Sequence, residues 1–399
     1  MIDFTLTEDQ LSLQEVARKF AEKEVKPKAA EIDRMADPRQ AFDAEATRKA
    51  CALGFHAMLV PEKWGGLGLT MNDFIIVIEE LAAADIGFAM NLAVSCSVSK
   101  MIADNGTEAQ AERWLRPYCD MRGDTHHLVA FGGTEPSGGT EIFCGDPDPR
   151  LGTRTTARAD GGDYIINGAK CFITNTSRAE LYGVLARTDK TKNNLVANSV
   201  FFFTPDTPGF SIGKIEDKMG HRGMSNGELI FDNMRLAKDD MIGAAGEGLP
   251  ILMRCYHVNG VMTGALSIGL ARAAYEMALN YARERVIWGQ PIIGYQAISH
   301  LLVDMKMQIE AARLLTQRIA WATQYGIHDK GIHPAMGKVF ASEMARKVTT
   351  DALQILGGSG YMKGFPAEKY VRDSMVTTIY DGANQVLRNF MAMDMFRTA

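Results

Sequence analysis

Phe131-Gly132-Gly133-Thr134-Glu135-Pro136-Ser137-Gly138-Gly139-Thr140 is the stretch at which the character of the chain changes. Glycines in such a loop let backbone N–H groups approach a ligand closely and can form an anion-binding concavity. Thr134 and Thr140 add hydroxyl groups to the same loop. An ordinary hairpin loop has the same composition, so the loop alone does not identify a binding site.

Helical patterns precede this loop and β-rich runs follow it. Thr7 and Gln10 fit a capping box, and helical periodicity continues to about residue 115. Between about residues 124 and 236, short β-branched and aromatic runs alternate with turn residues. Helical patterns resume near Gly248, and one amphipathic stretch covers residues 297–325. We therefore predict an α+β chain with a helical domain (1–123), an antiparallel β domain (124–240) and a second helical domain (241–399).

Bulk properties narrow the functional classes. A length of 399 residues suits two or three packed modules, and a net charge of −5 gives no reason to expect nucleic acid as a partner. The six cysteines form no CxxC pair and the eight histidines form no HExxH motif, so we expect no metal site. The chain starts without a signal-peptide pattern, and we found no apolar run near 20 residues. We expect a cytoplasmic protein that does not enter membranes.

A second informative segment is Asn167-Gly168-Ala169-Lys170-Cys171-Phe172-Ile173-Thr174-Asn175. Asn-Gly predicts a tight hairpin turn, and strand alternation places Phe172 and Thr174 on one face. A ring and a hydroxyl on one face can hold a flat heterocycle. A plain sheet face explains the segment equally well.

Two glycine-containing segments lie near the end of the chain. The first, residues 354–361, includes Gly357 and Gly358, which are typical of a helix C-cap. In the second, residues 379–389, Asp381 precedes a glycine and a helical pattern, so an N-cap role explains it on propensity alone. No GxGxxG motif follows a strand, and a Rossmann dinucleotide site is therefore not indicated.

In their order and spacing these segments resemble the acyl-CoA dehydrogenase family, from the first helix to Arg388. The resemblance is carried by the Thr134-Glu135-Pro136 loop, Phe172-Ile173-Thr174-Asn175, and the segments 61–68, 218–223, 283–289, 354–360 and 381–388.

The resemblance implies an N-terminal helical domain, a middle β domain, which we expect to be a sandwich or barrel, and a C-terminal four-helix bundle. It also implies a homotetramer, a dimer of dimers, with FAD at a subunit interface, and an electron-transfer flavoprotein as acceptor. Asp381 occupies the position of the catalytic base. By motif position, FAD is contacted by Phe131, Gly133, Thr134, Gly139, Thr140, Phe172, Thr174, Ala383, Asn384 and Gln385, and across the interface by Arg285, Trp288, Gln296, Gln354, Gly357 and Gly358. Thr140, Tyr380, Gly382 and Arg388 are expected near the acyl-CoA.

Several positions depart from the family pattern. The base position holds Asp rather than Glu, which shortens the reach of the carboxylate by roughly 1.5 Å. An alternative base position of some members aligns with Asn259, and an arginine beside it aligns with Gly260, so we expect a less polar and roomier acyl pocket. Asn91 is a further candidate for orienting the substrate, although packing explains it equally well. The extra segment 143–150 follows the Thr-Glu-Pro loop and either reshapes the CoA entrance or is inert surface.

These departures favour an unusual substrate, such as an alicyclic or aromatic-pathway acyl-CoA, over a straight-chain one. Three alternatives stay open: the reverse reaction as an enoyl-CoA reductase, a nitroalkane-oxidising flavoenzyme, and a non-catalytic flavoprotein of the same fold. The nitroalkane enzymes also use an Asp base but need no CoA. The non-catalytic flavoprotein would bind nucleic acid, which the net negative charge disfavours.

Overall fold

The computed structural model describes residues 5–121, 127–327 and 333–396. The first four residues, on which the absence of a signal peptide was judged, lie outside these ranges. So does the predicted domain boundary near residue 124.

The first domain contains six α-helices, and all except α2 begin at a polar N-cap residue. Thr7, Thr70 and Thr107 each form a capping box, and the one at Thr7 confirms the sequence prediction. A π-helical turn at Ala21–Val25 joins the first two helices. The helices are α1 (Glu8–Phe20), α2 (Lys26–Arg34), α3 (Ala44–Ala52), α4 (Met71–Ala84), α5 (Ile86–Asn105) and α6 (Glu108–Tyr118).

The middle domain is built on one eight-stranded sheet. Its strands are β1 (Val129–Gly132), β2 (Thr156–Asp160), β3 (Asp163–Thr174), β4 (Leu181–Arg187), β5 (Asn198–Phe203), β6 (Phe210–Ile215), β7 (Asn226–Leu236) and β8 (Met241–Ile242). The strand order is β6-β7-β3-β2-β4-β5-β8, and β1 pairs with β4. The prediction of an antiparallel sheet is wrong in part, because β1 and β2 both pair with β4 in parallel. β8 pairs with β5, although it lies just beyond the predicted boundary at residue 240.

The predicted hairpin turn at Asn167-Gly168 is wrong. Both residues lie inside β3, where the register against β7 shifts between Ile166 and Gly168. Gly168 has φ 143°, a conformation that glycine adopts without steric cost, so the Asn-Gly pair marks a β-bulge within a long strand.

The C-terminal domain is a bundle centred on the 37-residue helix α7. α7 packs against three later helices of the bundle and also against α4 and α5 of the first domain. The elements are α7 (Gly248–Glu284), β9 (Val286–Ile287), β10 (Gln290–Pro291), α8 (Gln296–Gln324), α9 (Ala335–Leu356), α10 (Gly358–Tyr361), α11 (Ala367–Thr377) and α12 (Asn384–Phe396). The amphipathic stretch predicted over 297–325 is α8.

Helix α5 passes through the middle of the molecule. By length and composition it could cross a membrane, which the sequence analysis did not anticipate, and 83% of its most apolar window is buried inside the protein. Buried core helices commonly satisfy the same criteria. The small residues of α5 let α7 and β1 pack closely against it.

A buried lysine links the first and last domains. The Nζ atom of Lys369 on α11 lies 2.8 Å from Oδ2 of Asp85 and 2.6 Å from Oδ2 of Asp373. Asp85 also accepts the backbone N–H of Phe88 and so caps α5. Asp373 accepts the backbone N–H of His221 from the middle domain. One cluster of charges therefore fixes all three domains relative to each other.

Replacing Lys369 with Met is expected to lower the free energy of unfolding by about 3–5 kcal/mol, because two buried carboxylates would lose their counterion. Lys347→Met is the matched control, since Lys347 forms the same i,i+4 pair with Asp351 at the surface. The control should cost about 0.5 kcal/mol or less. Chemical denaturation measures both values, and equal effects of the two substitutions would contradict the role assigned to Lys369.

Candidate active site

A cavity of about 810 Å³ lies where the three domains meet. Its volume is in the upper part of the range for small-molecule sites, which is about 300–1,000 Å³. The wall is contributed by α5, the loop 131–140, β3, the segment 216–224, α7, α11 and the turn before α12. The cavity brings together Phe131, Gly133, Thr134, Gly139, Thr140, Phe172, Thr174, Asn259, Tyr380, Asp381, Gly382 and Ala383 from the sequence-based candidates.

The β-domain wall of the cavity is aromatic and fits a flat heterocycle. Phe172 has φ 59° and 63% of its side chain is exposed, although the neighbouring Ile173 is buried. A large ring held open in a cavity is typical of a surface that stacks on a ligand. Thr174 follows on the same wall, and Phe131 lines it from β1. These residues therefore fit an isoalloxazine ring, with apolar faces and hydroxyl groups that can hydrogen-bond its edge.

A buried ion pair holds the loop 131–140 against the sheet. The Nζ atom of Lys170, which is fully buried in β3, donates to Oε1 of Glu135 at 2.8 Å and to the carbonyl of Gly133 at 3.1 Å. Glu135 also accepts the backbone N–H groups of Arg154 and Thr155. Burial raises the pKa of Glu135, but Lys170 and these donors outweigh that effect and hold the pKa below its usual value. The loop is thus preorganised around an ionised carboxylate.

Asp381 lies in a strained turn of the cavity wall, in the part that the C-terminal domain contributes. Its φ is 51° and that of Gly382 is 90°. Oδ1 accepts a hydrogen bond from Nδ2 of Asn259, and Oδ2 accepts one from Oγ1 of Thr263, both at 3.1 Å. α12 begins only at Asn384, and the carboxylate bonds to α7, so Asp381 is not an N-cap. The constraint on its backbone and side chain aims one carboxylate into the cavity.

The turn rests on a buried lysine that the sequence analysis did not identify. Lys338 of α9 is fully buried, and its Nζ atom donates to the carbonyl of Gly382 at 2.9 Å and to Oδ1 of Asn384 at 2.7 Å. Burial lowers the pKa of Lys338 to about 8. Asn384 also bonds to Ser342 and Glu343, so α9 fixes both the turn and the start of α12.

Burial raises the pKa of Asp381 to about 6. The charge of Lys338 and the hydrogen bonds from Thr263 and Asn259 oppose this rise. Near neutral pH the carboxylate is therefore largely ionised, yet its pKa lies close to the pH at which it must accept a proton. A general base works best under these conditions.

Asn91 and Gly260 do not line the cavity. The Nδ2 atom of Asn91 donates to the backbone carbonyl of Gly223, and the backbone carbonyl of Asn91 accepts from Nδ2 of Asn175. Asn91 therefore joins α5 to the middle domain. A Cβ atom on Gly260 would lie 2.8 Å from the carbonyl oxygen of Pro334. Because Gly260 has no side chain, the backbone at Pro334 can pack against it. It does not enlarge the acyl pocket at this point, contrary to the sequence-based expectation.

The remaining candidates lie outside the cavity. Arg388 is half-exposed and pairs with Glu343. Asn384 is buried behind the cavity wall, and Gln385 is exposed on α12. The residues expected to reach FAD across a subunit interface are exposed on the C-terminal domain: Arg285, Trp288, Gln296, Gln354, Gly357 and Gly358.

The segment 143–150 contributes one side chain to the cavity. The ring of Phe143 lines it and lies edge-on to Tyr256, at 5.3 Å between centroids, and to Phe390, at 5.2 Å. Residues 144–150 do not line it. Arg187 donates to the carbonyls of Pro149 and Leu151 and holds the rest of the segment on the β domain.

Comparisons with known proteins agree along the whole chain. Family models match residues 7–122 (acyl-CoA dehydrogenase, N-terminal domain), 130–234 (middle domain) and 246–396 (C-terminal domain). A short-chain-specific acyl-CoA dehydrogenase of Megasphaera elsdenii is 37% identical, over 96% of this chain and 97% of the relative. A cyclohex-1-ene-1-carbonyl-CoA dehydrogenase of Syntrophus aciditrophicus is 36% identical, over 96% and 89%. A chain from a structure described as the electron transferring flavoprotein of Acidaminococcus fermentans has a TM-score of 0.91 and 37% identity, over 99% of this chain and 100% of that one.

Replacing Asp381 with Asn is expected to stabilise the protein at pH 8 by up to about 2 kcal/mol. Asn tolerates the positive φ and keeps both hydrogen bonds, with Oδ1 accepting from Asn259 and Nδ2 donating to Thr263. The wild-type aspartate ionises near pH 4 in the unfolded chain but near pH 6 in the folded protein. The free energy of unfolding of the wild type therefore falls as the pH rises from about 4 to about 6. The stabilisation by Asn grows over the same interval and is complete only above it.

Denaturant unfolding of both proteins between pH 4 and pH 8 measures this difference. Asp351→Asn on α9 is the control and should bring no gain. A difference that does not change with pH, or a loss of stability at pH 8, would contradict the elevated pKa of Asp381.

Proposed function

Since the chain belongs to the acyl-CoA dehydrogenase family, and is therefore an FAD-dependent oxidoreductase that acts on a CH–CH group, we propose that it dehydrogenates a cyclic acyl-CoA thioester with Asp381 as the base. One observation carries the assignment of the base. Asp381 is held in a strained turn, and burial raises its pKa to about 6. It lines the same cavity as the aromatic rings of Phe172 and Phe131.

The cavity residues divide the reaction between two walls. FAD, when bound, supplies the acceptor for the hydride that leaves the β-carbon. On the facing wall, Asp381 accepts the proton of the α-carbon. Asn259 and Thr263 each occupy one lone pair of its oxygens, which orients the carboxylate and leaves further lone pairs to receive the proton. A thioester that fills the cavity displaces water from these groups, which strengthens each of these interactions.

Three features support a cyclic acyl group. The carboxylate of Asp381 reaches roughly 1.5 Å less than that of Glu would, so the α-carbon must lie closer to the turn. At the other potential base position Asn259 presents an amide, and it bonds to Asp381 itself. Ser97 donates to Oδ1 of Asn259, and the other wall residues of α5 and α7 include the apolar Met90, Val94 and Leu252. A compact ring bound close to the turn fits this arrangement, and a relative named for a cyclohexene-carbonyl substrate is 36% identical.

We also propose that the enzyme is a homotetramer in which FAD spans two subunits. The side chain of Trp288 is 90% exposed in the isolated chain, next to the exposed Val286 and Ile287. Exposed apolar side chains clustered in this way are typical of surfaces that a partner covers. Arg285 and Gln296 flank the same region, so a second subunit would bring FAD-binding groups with it.

An electron-transfer flavoprotein is the acceptor we propose for electrons from the reduced enzyme. The similarity to a chain from an electron-transferring flavoprotein structure supports this choice. Dehydrogenation and enoyl-CoA reduction use the same groups, and we propose dehydrogenation as the physiological direction. In dehydrogenation Asp381 accepts the proton from the α-carbon, and in enoyl-CoA reduction it donates a proton to that carbon.

Anaerobic titration of the FAD-loaded protein with a panel of thioesters tests the proposal. Cyclohexanecarbonyl-CoA and cyclohexene-carbonyl-CoA should bleach the flavin, and butyryl-CoA and octanoyl-CoA should do so more slowly. Asp381→Asn should bind the cyclic thioesters but reduce the flavin about 10²–10⁴-fold more slowly, because the general base is lost.

Three results would contradict the proposal. Preference for butyryl- or octanoyl-CoA with no activity on cyclic thioesters would overturn the substrate class. Unchanged reduction by Asp381→Asn would place the base at another residue. Bleaching by nitroethane but by no acyl-CoA would select the nitroalkane-oxidising alternative.

Lys338→Met is expected to shift the pH dependence of flavin reduction to higher pH. The positive charge of Lys338 lowers the pKa of Asp381, so its removal lets that pKa rise above about 6. The base would then ionise only at higher pH. Stopped-flow reduction from pH 5 to pH 9 measures the shift, and Lys347→Met on the exposed face of α9 should leave the profile in place. An unchanged or acid-shifted profile for Lys338→Met would refute this role.

A further inference from the structure

Beside the base, the cavity wall contains a histidine whose ring has no hydrogen-bond partner within the described part of the chain. His221 is 1% exposed and lines the cavity. Both ring nitrogens are buried, and neither has a partner among the described residues. Its backbone has φ 50° and its N–H donates to Oδ1 of Asp373 at 2.6 Å. A strained backbone, fixed by a buried carboxylate, thus holds an unsatisfied imidazole at the cavity wall.

The residue next to the base completes the pair. The rings of His221 and Tyr380 are 5.7 Å apart at an angle of 61°. The hydroxyl of Tyr380 is also buried and has no partner among the residues described. Because Tyr380 directly precedes Asp381, both unsatisfied groups lie on the wall where the base meets the acyl group.

Such groups need a partner in the functional protein. A buried polar atom without a hydrogen bond costs about 1–3 kcal/mol, and this wall contains three such atoms. A neutral imidazole has one donor and one acceptor nitrogen, and the tyrosine hydroxyl can both donate and accept. The two side chains can therefore bind a ligand hydroxyl, which donates and accepts, or a ligand carbonyl, which only accepts. Water or a polar substituent of the ligand can fill this role.

The charges around the pair indicate that this ligand group is uncharged. Burial lowers the pKa of His221 to about 4, so the ring is neutral at pH 7. Of the nearby cations, Lys369 pairs with Asp85 and Asp373, Arg372 with Asp33 and Glu368, and Arg222 with Asp217. Lys218 donates to the neutral carbonyl of Met224, which leaves its charge in place. Asp85 and Asp373 together balance the charges of Lys369 and Lys218, so the described groups around the ring carry no net positive charge that would neutralise a ligand carboxylate.

We propose that His221 and Tyr380 form a recognition site for a hydroxyl or oxo group on the acyl portion of the substrate. This inference rests on the proposed function and narrows it to ring-oxygenated acyl thioesters. The wall also contains apolar residues such as Met90, Val94 and Leu252. An oxygen placed at the His221–Tyr380 pair gains hydrogen bonds that an unsubstituted ring leaves unmade. A site that hydrogen-bonds a substrate group discriminates strongly against an analogue that lacks it.

Binding is measured by calorimetry on FAD-loaded Asp381→Asn protein, in which flavin reduction does not interfere. The ligands are cyclohexanecarbonyl-CoA and its counterparts with a hydroxyl or oxo group at each ring position. We expect one oxygenated isomer to bind about tenfold more tightly than the unsubstituted ring, because its oxygen makes hydrogen bonds that the unsubstituted ring cannot make. Adding Tyr380→Phe or His221→Phe should reduce that preference to about twofold or less.

Met375→Leu, on the apolar wall of the same cavity, is the control and should leave the preference intact. Tyr380→Phe removes a single oxygen atom. It therefore still tests the inference if His221→Phe, which changes a residue with a strained backbone, fails to fold. The inference is overturned if every oxygenated isomer binds no better than the unsubstituted ring, or if the preference survives both substitutions. Loss of FAD from Tyr380→Phe with an unchanged preference would assign the pair to the cofactor and also overturn it. Flavin reduction by unsubstituted cyclic thioesters in the wild type tests the proposed function separately.

Discussion

The carboxylate of Asp381 accepts hydrogen bonds from Asn259 and Thr263 on α7, while its turn rests on Lys338 of α9. This set of contacts joins the two central helices of the bundle to the start of α12. A non-glycine residue with positive φ raises the free energy of the folded state, and it persists only where the surrounding structure holds its backbone in place. Here two hydrogen bonds and a buried ammonium do so, and the same contacts set the orientation and the pKa of the base.

The cavity exists because buried charges hold the three domains around it. Lys369 joins α11 to the N-cap of α5, and Lys170 holds the loop 131–140 on β3 through Glu135. Each lysine is almost fully buried and paired, so removing either partner leaves an uncompensated charge. The walls are therefore fixed before a ligand arrives, which lowers the cost of positioning the cofactor and the substrate.

Motif order predicted the three domains and twelve of the residues that line the cavity. Phe172 and Thr174 both line the cavity, as strand alternation predicted, although the register of β3 shifts between Lys170 and Ile173 and Phe172 has a positive φ. Asn167-Gly168 was misassigned because the local turn signal does not reveal that β7 continues to pair alongside. Lys338 and Lys170 were missed because a lysine in an apolar pattern shows burial only when its partners are known, and those lie 44 and 35 residues away. The open space expected at Gly260 is filled by the backbone of Pro334, which sequence cannot indicate.

The most direct test of Asp381 as the base is a crystal structure of the FAD-loaded protein with a non-reactive cyclic acyl-CoA analogue. The distance from the carboxylate of Asp381 to the α-carbon decides the matter. Our account predicts about 3–3.5 Å, with the ring between Asp381 and the aromatic wall at Phe172. A distance beyond about 5 Å, with another carboxylate nearer to the α-carbon, would contradict it.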